Sequence, residues 1–133
     1  MKTEIKVTEI NRSDIEDLFD TAQCGSYWLG IDYNVEDLLA GKTAVVSDYY
    51  AEDETDYYGD KPHRWNEEDE CMEYTINVDD VMEGIANALK TVGFVSRCAR
   101  NYIDECNGES TSFDLYEAEG IMQMVVFGET IYG

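Results

Sequence analysis

Residues 48–73, DYYAEDETDYYGDKPHRWNEEDECME, decide how the rest of this chain is arranged. The segment carries 11 Asp and Glu residues against only Lys61 and Arg64, and it is the one sharp shift of composition along the chain. Gly59 and Pro62, the only proline, interrupt it, as is typical of a loop. We therefore predict a long acidic loop between two strands.

The residues on either side of this segment predict the two strands. Residues 43–50 are strand-like through a pair of valines, and Met72, Tyr74 and Ile76 alternate with polar neighbours. The same alternation predicts another strand at residues 4–10.

Apolar residues at helical spacing predict the helices. Ser13, with Glu16 three residues on, indicates a capping box that opens the first helix, and Gly25 ends it. The same spacing predicts a short helical turn at residues 35–39 and longer helices at residues 78–89, 95–106 and 118–127. The last helix is apolar on more than one side, which indicates either burial on several sides or a subunit contact. Residues 129–133 are predicted to follow it as an edge strand.

Together these elements predict one α+β domain over residues 1–133, in which about four helices pack a small antiparallel sheet of about three strands. A chain of 133 residues is long enough for one core and too short for two. Its hydrophobic content of 44% lets it fold although its formal net charge is −21.

That charge limits the class of partner. Nucleic acid binding needs Lys and Arg at the phosphates, and the chain has 9 of these against 30 Asp and Glu, so we expect a basic protein surface instead. Carboxylates can approximate the spacing of DNA phosphates, and aromatic residues among them supply contacts for Arg. The predicted partner contacts are Asp48, Tyr49, Tyr50, Glu52, Asp53, Glu54, Asp56, Tyr57, Tyr58, Asp60, Trp65, Glu67, Glu68, Asp69 and Glu70. The alternative is a solvated loop that only keeps the protein soluble.

No pattern of residues indicates catalysis or a cofactor. Zinc sites need paired ligands at short spacing, whereas the nearest cysteines, Cys98 and Cys106, are eight residues apart on a predicted core face. His63 is the only histidine, and no neighbouring group orients it as a base. Glycine-rich phosphate loops do not occur. We therefore predict a protein that is not an enzyme and has no cofactor.

Metal binding by the acidic segment has one partial signal. Glu52, Glu54 and Asp56 alternate like the first ligands of a calcium loop, but Tyr57 occupies the place of the glycine that such loops require. The sequence therefore predicts no dedicated metal site, while loose binding of Ca²⁺ or Mg²⁺ stays open.

The chain shows neither the apolar run of a signal peptide nor a span of about 20 apolar residues, which predicts a cytoplasmic protein. In that reducing compartment we expect the four cysteines to be free thiols.

The two ends of the chain carry a further pattern: Asp14-Ile15, Leu18, Thr21-Ala22, Gly25 and Tyr27-Trp28, then Ile121, Gln123, Phe127-Gly128-Glu129 and Ile131-Tyr132-Gly133. In these residues the chain resembles a family of small acidic proteins from gut clostridia, their phages and their conjugative elements. No catalytic role attaches to these positions in the family. The resemblance implies a place beside mobile genetic elements, among which acidic inhibitors of restriction and CRISPR nucleases recur.

Two hypotheses of different kinds follow. The first is a non-enzymatic inhibitor of the anti-CRISPR or antirestriction kind, which mimics DNA and occupies the basic nucleic-acid-binding surface of a CRISPR effector or restriction nuclease. The second is a self-associating accessory domain of a mobile element, a homodimer whose contact surface is the apolar last helix with residues 127–132.

Overall fold

The computed structural model describes residues 10–88 and 115–132. In chain order they form α1 (Arg12–Gly25), β1 (Leu29–Asp32), α2 (Val35–Leu39), β2 (Ala44–Asp48), β3 (His63–Asn66), β4 (Cys71–Ile76), α3 (Val78–Ala88) and α4 (Leu115–Phe127). The strands make one antiparallel sheet in the order β1-β2-β4-β3. The predicted α+β class is confirmed, with four strands in the described residues instead of about three. The helix predicted at residues 95–106, and the strand predicted at residues 4–10 apart from its last residue, lie outside the described residues.

β2 and β4 are the two strands that the sequence predicted, and they form the centre of the sheet. Val46 pairs with Tyr74 and Asp48 pairs with Met72, and all four side chains are buried on the face that meets the helices. The residues that alternate with these four along β2 and β4 point to the other face, which is half-buried and mostly polar. We call these the inner face and the outer face of the sheet.

The edge strands β1 and β3 were not predicted, and β3 corrects the prediction of one unbroken loop. β3 has only four residues and a single large apolar side chain, Trp65, so its sequence carries little strand signal. Pairing with β4 fixes it instead, from His63 opposite Tyr74 to Asn66 opposite Cys71. Here pairing with a neighbour overrides weak local propensity.

α1 begins earlier than predicted. Asn11 is its N-cap: Asn11 Oδ1 accepts a hydrogen bond from Asp14 N at 2.9 Å, and Asp14 Oδ2 accepts one from Asn11 N at 3.5 Å. The predicted box of Ser13 and Glu16 is wrong because the sequence offers two pairs at the same spacing, and Asn caps as well as Ser. Asn77 caps α3 in the same way, through reciprocal hydrogen bonds with Asp80.

α4 is the central helix of the layer on the inner face. It packs against both α1 and α3, and the Phe127 ring meets the Tyr74 ring of β4 with centroids 5.4 Å apart. α3 comes close because Gly84 has no side chain; a Cβ there would lie 2.6 Å from Val125 Cα. Every residue from 120 to 127 is buried, so the apolar surface of α4 is explained by burial on several sides within one chain.

Residues 128–132, which we call the C-terminal strap, do not form the predicted edge strand. Instead, the buried side chain of Gln123 takes the place of a neighbouring strand. Gln123 Oε1 accepts from Ile131 N at 2.6 Å and Tyr132 N at 2.8 Å, and Gln123 Nε2 donates to Tyr132 O at 2.9 Å. One amide therefore holds the strap on α4.

Two further expectations concern the chemistry of the chain. Cys24 and Cys71 are free thiols, as predicted, and the other two cysteines lie outside the described residues. Across residues 10–88 and 115–132, none of the helices combines the length and the apolar character needed to cross a bilayer.

Candidate protein-binding site

The structure divides the exposed part of the acidic segment into two pieces. Residues 49–62, the acidic loop, connect β2 to β3, and residues 67–70, the acidic turn, connect β3 to β4. β2 and β3 are both antiparallel to β4 and therefore parallel to each other, so both finish at the same end of the sheet. Two strand spacings separate the points where the loop and the turn leave the sheet, a distance of about 10 Å.

The residues that precede β1 reach the same end, because Leu29 pairs with Asp48. The carbonyl oxygen of Trp28 accepts a hydrogen bond from Tyr49 N at 2.7 Å. We call this region, made of residues 27–28, the start of the acidic loop and the acidic turn, the acidic end of the sheet.

Three tyrosines are exposed at the acidic end. Tyr49 and Tyr50, both predicted contacts, are 49% and 52% exposed, and Tyr27 is 94% exposed. Tyr27 was not among the predicted contacts. The available signal for its exposure was its place in the short connection that follows the helix stop at Gly25, although the ring of the next residue, Trp28, is buried.

Most of the predicted carboxylates are solvent-exposed. Glu52, Asp53, Glu54, Asp60, Glu67, Glu68, Asp69 and Glu70 are exposed, and Asp56 is half-buried. The four Lys and Arg residues that the structure describes pair elsewhere: Arg12 with Glu16 and Glu36, Lys42 with Asp37, Lys61 with Asp80, and Arg64 with Glu73. No described cation therefore neutralises the carboxylates of the acidic loop or the acidic turn.

The acidic loop is held in shape by its own carboxylates. Asp53 Oδ1 accepts hydrogen bonds from Thr55 N at 2.8 Å and Thr55 Oγ1 at 2.5 Å, and Asp56 Oδ2 accepts one from Glu52 N at 3.0 Å. The two bonds from Thr55 lower the pKa of the Asp53 carboxyl. The hydrogen bonds that order the loop therefore also favour the negatively charged form of the Asp53 carboxyl.

The acidic turn is built around Asn66. Asn66 Oδ1 accepts from Asp69 N at 3.0 Å, and Asn66 Nδ2 donates to Asp69 Oδ2 at 3.3 Å and to Glu73 Oε2 at 3.2 Å. Glu70 closes the turn with φ +52°, the only positive φ at a non-glycine position among the described residues. A glutamate therefore occupies a conformation that glycine adopts at lower cost.

We expect Glu70→Gly to stabilise the domain by about 1 kcal/mol, because it removes the left-handed strain and one charge from the acidic turn. Urea unfolding monitored by circular dichroism measures the change. Glu70→Gln serves as the control, since it removes the charge and keeps the strain. Equal stability of the glycine and glutamine variants would show that the backbone strain is negligible.

Asp48 is fully buried, which corrects its place among the predicted surface contacts. Its carboxylate accepts hydrogen bonds from Tyr132 Oη at 2.7 Å and from Tyr50 N at 2.9 Å. It belongs to the alternation of inward-facing residues along β2, which the sequence pattern could have shown. Tyr58 and Trp65 are half-buried against the core, so these two predicted anchors fasten the segment to the domain.

A cluster of aromatic rings surrounds Tyr132, whose hydroxyl donates to the Asp48 carboxylate. The ring of Tyr132 lies 5.0 Å from Trp28, 5.3 Å from Tyr50 and 6.4 Å from Tyr58, between ring centroids. Burial, together with the Asp48 carboxylate, raises the pKa of Tyr132, so its hydroxyl remains a donor. Through Tyr132, the C-terminal strap therefore contacts Tyr50 and Tyr58 of the acidic loop.

Burial raises the pKa of Asp48, although hydrogen bonds from Tyr132 and Tyr50 oppose the shift. The folded state therefore holds this proton to a higher pH than the unfolded state, and the associated stability is lost as pH rises from about 4 through the folded-state pKa. We expect wild type to lose unfolding free energy over that window relative to Asp48→Asn, which stays neutral. Urea unfolding of both proteins across this pH range measures the difference between their unfolding free energies. The contributions of the other carboxylates cancel in that difference. A flat difference would contradict the prediction.

His63, the only histidine of the chain, is held against the acidic loop. The His63 ring stacks on Tyr57 with centroids 4.0 Å apart, and its Nδ1 lies 3.1 Å from Lys61 O. Within the described ranges, no three His, Cys, Asp or Glu side chains are grouped so that they could hold a metal ion. The acidic end of the sheet presents exposed negative charge beside exposed tyrosine rings.

Comparison with known proteins adds no relative: no family model, no curated protein and no solved structure matches this chain.

Proposed function

We propose that this protein is a non-enzymatic inhibitor that binds the basic nucleic-acid-binding surface of another protein, a CRISPR effector or a restriction nuclease, in place of DNA. The observation that carries the proposal is the set of exposed carboxylates on the acidic loop and the acidic turn, which no described Lys or Arg neutralises. A protein groove rich in Lys and Arg would supply the missing counter-charge. The resemblance to proteins of mobile elements supports the choice of a defence nuclease as the partner.

The arrangement of the two acidic pieces supports mimicry of a duplex. They leave the sheet about 10 Å apart, which lies between the widths of the minor and major grooves of DNA, about 6 and 12 Å. The grooves of a duplex separate its two phosphate strands, so the two acidic pieces begin at a separation comparable to that of the two strands. Inhibition then follows from occupation of the partner's DNA-binding channel.

The strain at Glu70 is a second supporting observation. Its carboxylate extends from a backbone conformation that costs about 1 kcal/mol for a residue with a side chain. A residue that serves binding can be retained although it lowers stability, and a charged side chain at this strained position fits that case.

The alternative of self-association through the last helix gains no support from the described residues. Met124, Val125, Val126 and Phe127 are at most 8% exposed and lie in the core of a single chain. Over residues 118–127, the part of this helix whose side chains are described, burial leaves no exposed apolar face for a second copy.

The proposal is tested by titrating the protein into DNA-cleavage reactions of a panel of CRISPR effectors and restriction nucleases, at about 50 mM and about 200 mM salt. We expect inhibition of at least one nuclease at the lower salt, and a weakening of about tenfold or more at the higher salt, because exposed opposite charges are screened. Absence of inhibition across the panel, or inhibition equal at both concentrations, would count against the proposal.

A further inference from the structure

The ring of Tyr49 lies across Gly30 on the outer face of the sheet. Tyr49 Cε2, Oη and Cζ are 3.0, 3.3 and 3.6 Å from the point that a Cβ of Gly30 would occupy. A methyl group at position 30 would therefore shift the ring by a few tenths of an ångström, and a larger side chain would displace it further. One side of the ring rests on β1, and the residue remains 49% exposed, so the other side is open to a ligand.

An exposed carboxylate stands beside this ring. Asp32 follows Gly30 by two residues along β1, so its side chain leaves the same face of the strand about 7 Å further on. Asp32 is exposed and forms no ion pair with a described residue. An aromatic ring supported from behind and a carboxylate within side-chain reach are the two groups that recognise a guanidinium.

We infer that Tyr49 and Asp32 form a binding site for one arginine side chain of the partner, with the guanidinium stacked on the open side of the ring and hydrogen-bonded to the carboxylate. This inference rests on the proposed function and names its ligand chemistry. Arginine fits better than lysine because its planar group can stack and donate to a carboxylate at once, whereas an ammonium is a compact, strongly hydrated charge. The site extends the binding surface from the acidic end onto the outer face.

Gly30 provides a variant that changes neither charge nor ring. The Cβ in Gly30→Ala would meet only the far end of the Tyr49 side chain, which can swing away, and the backbone at this position is ordinary strand. Tyr49→Leu removes the ring itself, and Asp32→Asn removes the carboxylate. Asp79→Asn is the matched control for Asp32→Asn, since Asp79 is also exposed and lies on α3, outside the acidic segment.

The probes are fluorescent nona-arginine and nona-lysine peptides, measured by anisotropy at low salt against wild type and the four variants. We expect wild type to bind the arginine peptide more tightly. Tyr49→Leu should weaken arginine binding by about 3- to 30-fold, while lysine binding changes by less. Gly30→Ala, which only shifts the ring, should weaken arginine binding by a smaller factor. Asp32→Asn should reduce the same preference, and Asp79→Asn should leave it unchanged.

The outcomes separate this inference from the proposed function. If both peptides bind in a salt-dependent manner but the arginine preference survives in Tyr49→Leu and Gly30→Ala, the arginine site is wrong and the acidic surface stands. An equal loss of preference in Asp79→Asn also overturns the site, because the effect would then not belong to Asp32. If neither peptide binds at low salt, the cationic partner itself is contradicted and both ideas fail.

Discussion

Replacing Glu67, Glu68 and Glu70 together by lysine is expected to weaken binding to the basic partner by more than about 100-fold while the domain stays folded. These three carboxylates are exposed on the acidic turn and pair with no described cation. Reversal therefore places like charges against the partner and breaks no described ion pair within the domain. Asp69 is kept because its carboxylate accepts a hydrogen bond from Asn66 and helps to hold the turn.

The measurement is inhibition of the responsive nuclease, with urea unfolding as the check on stability. A matched control reverses three exposed carboxylates outside the acidic segment, Asp79, Glu83 and Glu129, and so changes the net charge by the same amount. We expect this control to weaken binding far less, since only long-range attraction is lost. Equal losses in both variants would show that net charge matters and that the acidic turn does not.

Gln123→Leu is expected to lower the free energy of unfolding by about 3 kcal/mol, because it removes every hydrogen bond that the Gln123 amide makes inside the protein. The amide binds Ile131 N, Tyr132 N and Tyr132 O, and it also donates to Glu119 Oε1 at 3.0 Å. Without these bonds, the backbone groups of the C-terminal strap can form hydrogen bonds only with water. The strap must detach from α4 to do so. Detachment withdraws Tyr132 from the Asp48 carboxylate and from the aromatic cluster.

The consequence reaches the candidate site. Tyr50 and Tyr58 lose their ring contacts with Tyr132, so the acidic loop should exchange its amide hydrogens faster in Gln123→Leu than in wild type. Hydrogen exchange over residues 49–58, together with urea unfolding, measures both effects.

Gln23→Leu is the matched control for this prediction. Gln23 is a half-buried amide that makes only two described bonds, from Ile31 N at 2.8 Å and to Phe19 O at 3.4 Å. It lies away from the strap, so its loss should cost about 1 kcal/mol and leave exchange in the acidic loop unchanged. Faster exchange in the loop of both variants would show that the effect is global loosening.

The central strands and the long helices could be predicted because their signals are local and repeated. Inward-facing residues alternate along β4, and helical spacing marks α1, α3 and α4, so the α+β class follows from pattern alone. β1 and β3 could not be predicted in the same way, because short edge strands take their conformation from the neighbour with which they pair.

The exposed carboxylates of the candidate site could be predicted because charged side chains without partners stay in water. The alternation along β2 could have placed Asp48 on the inner face, but its hydrogen-bond partner Tyr132 could not be deduced, because it lies 84 residues away in sequence. The roles of Gln123 and of Gly30 depend in the same way on contacts that form only when the sheet and α4 come together. The geometry of the acidic end therefore had to come from the structure.

Competition between this protein and duplex DNA for the responsive nuclease tests the central claim most directly. Fluorescence anisotropy of labelled DNA bound to a catalytically inactive form of that nuclease follows the displacement at low and moderate salt. The account predicts that the protein displaces the DNA completely, that no complex contains both, and that displacement weakens as salt rises. A stable complex of nuclease, DNA and protein together, or displacement that does not depend on salt, would contradict it.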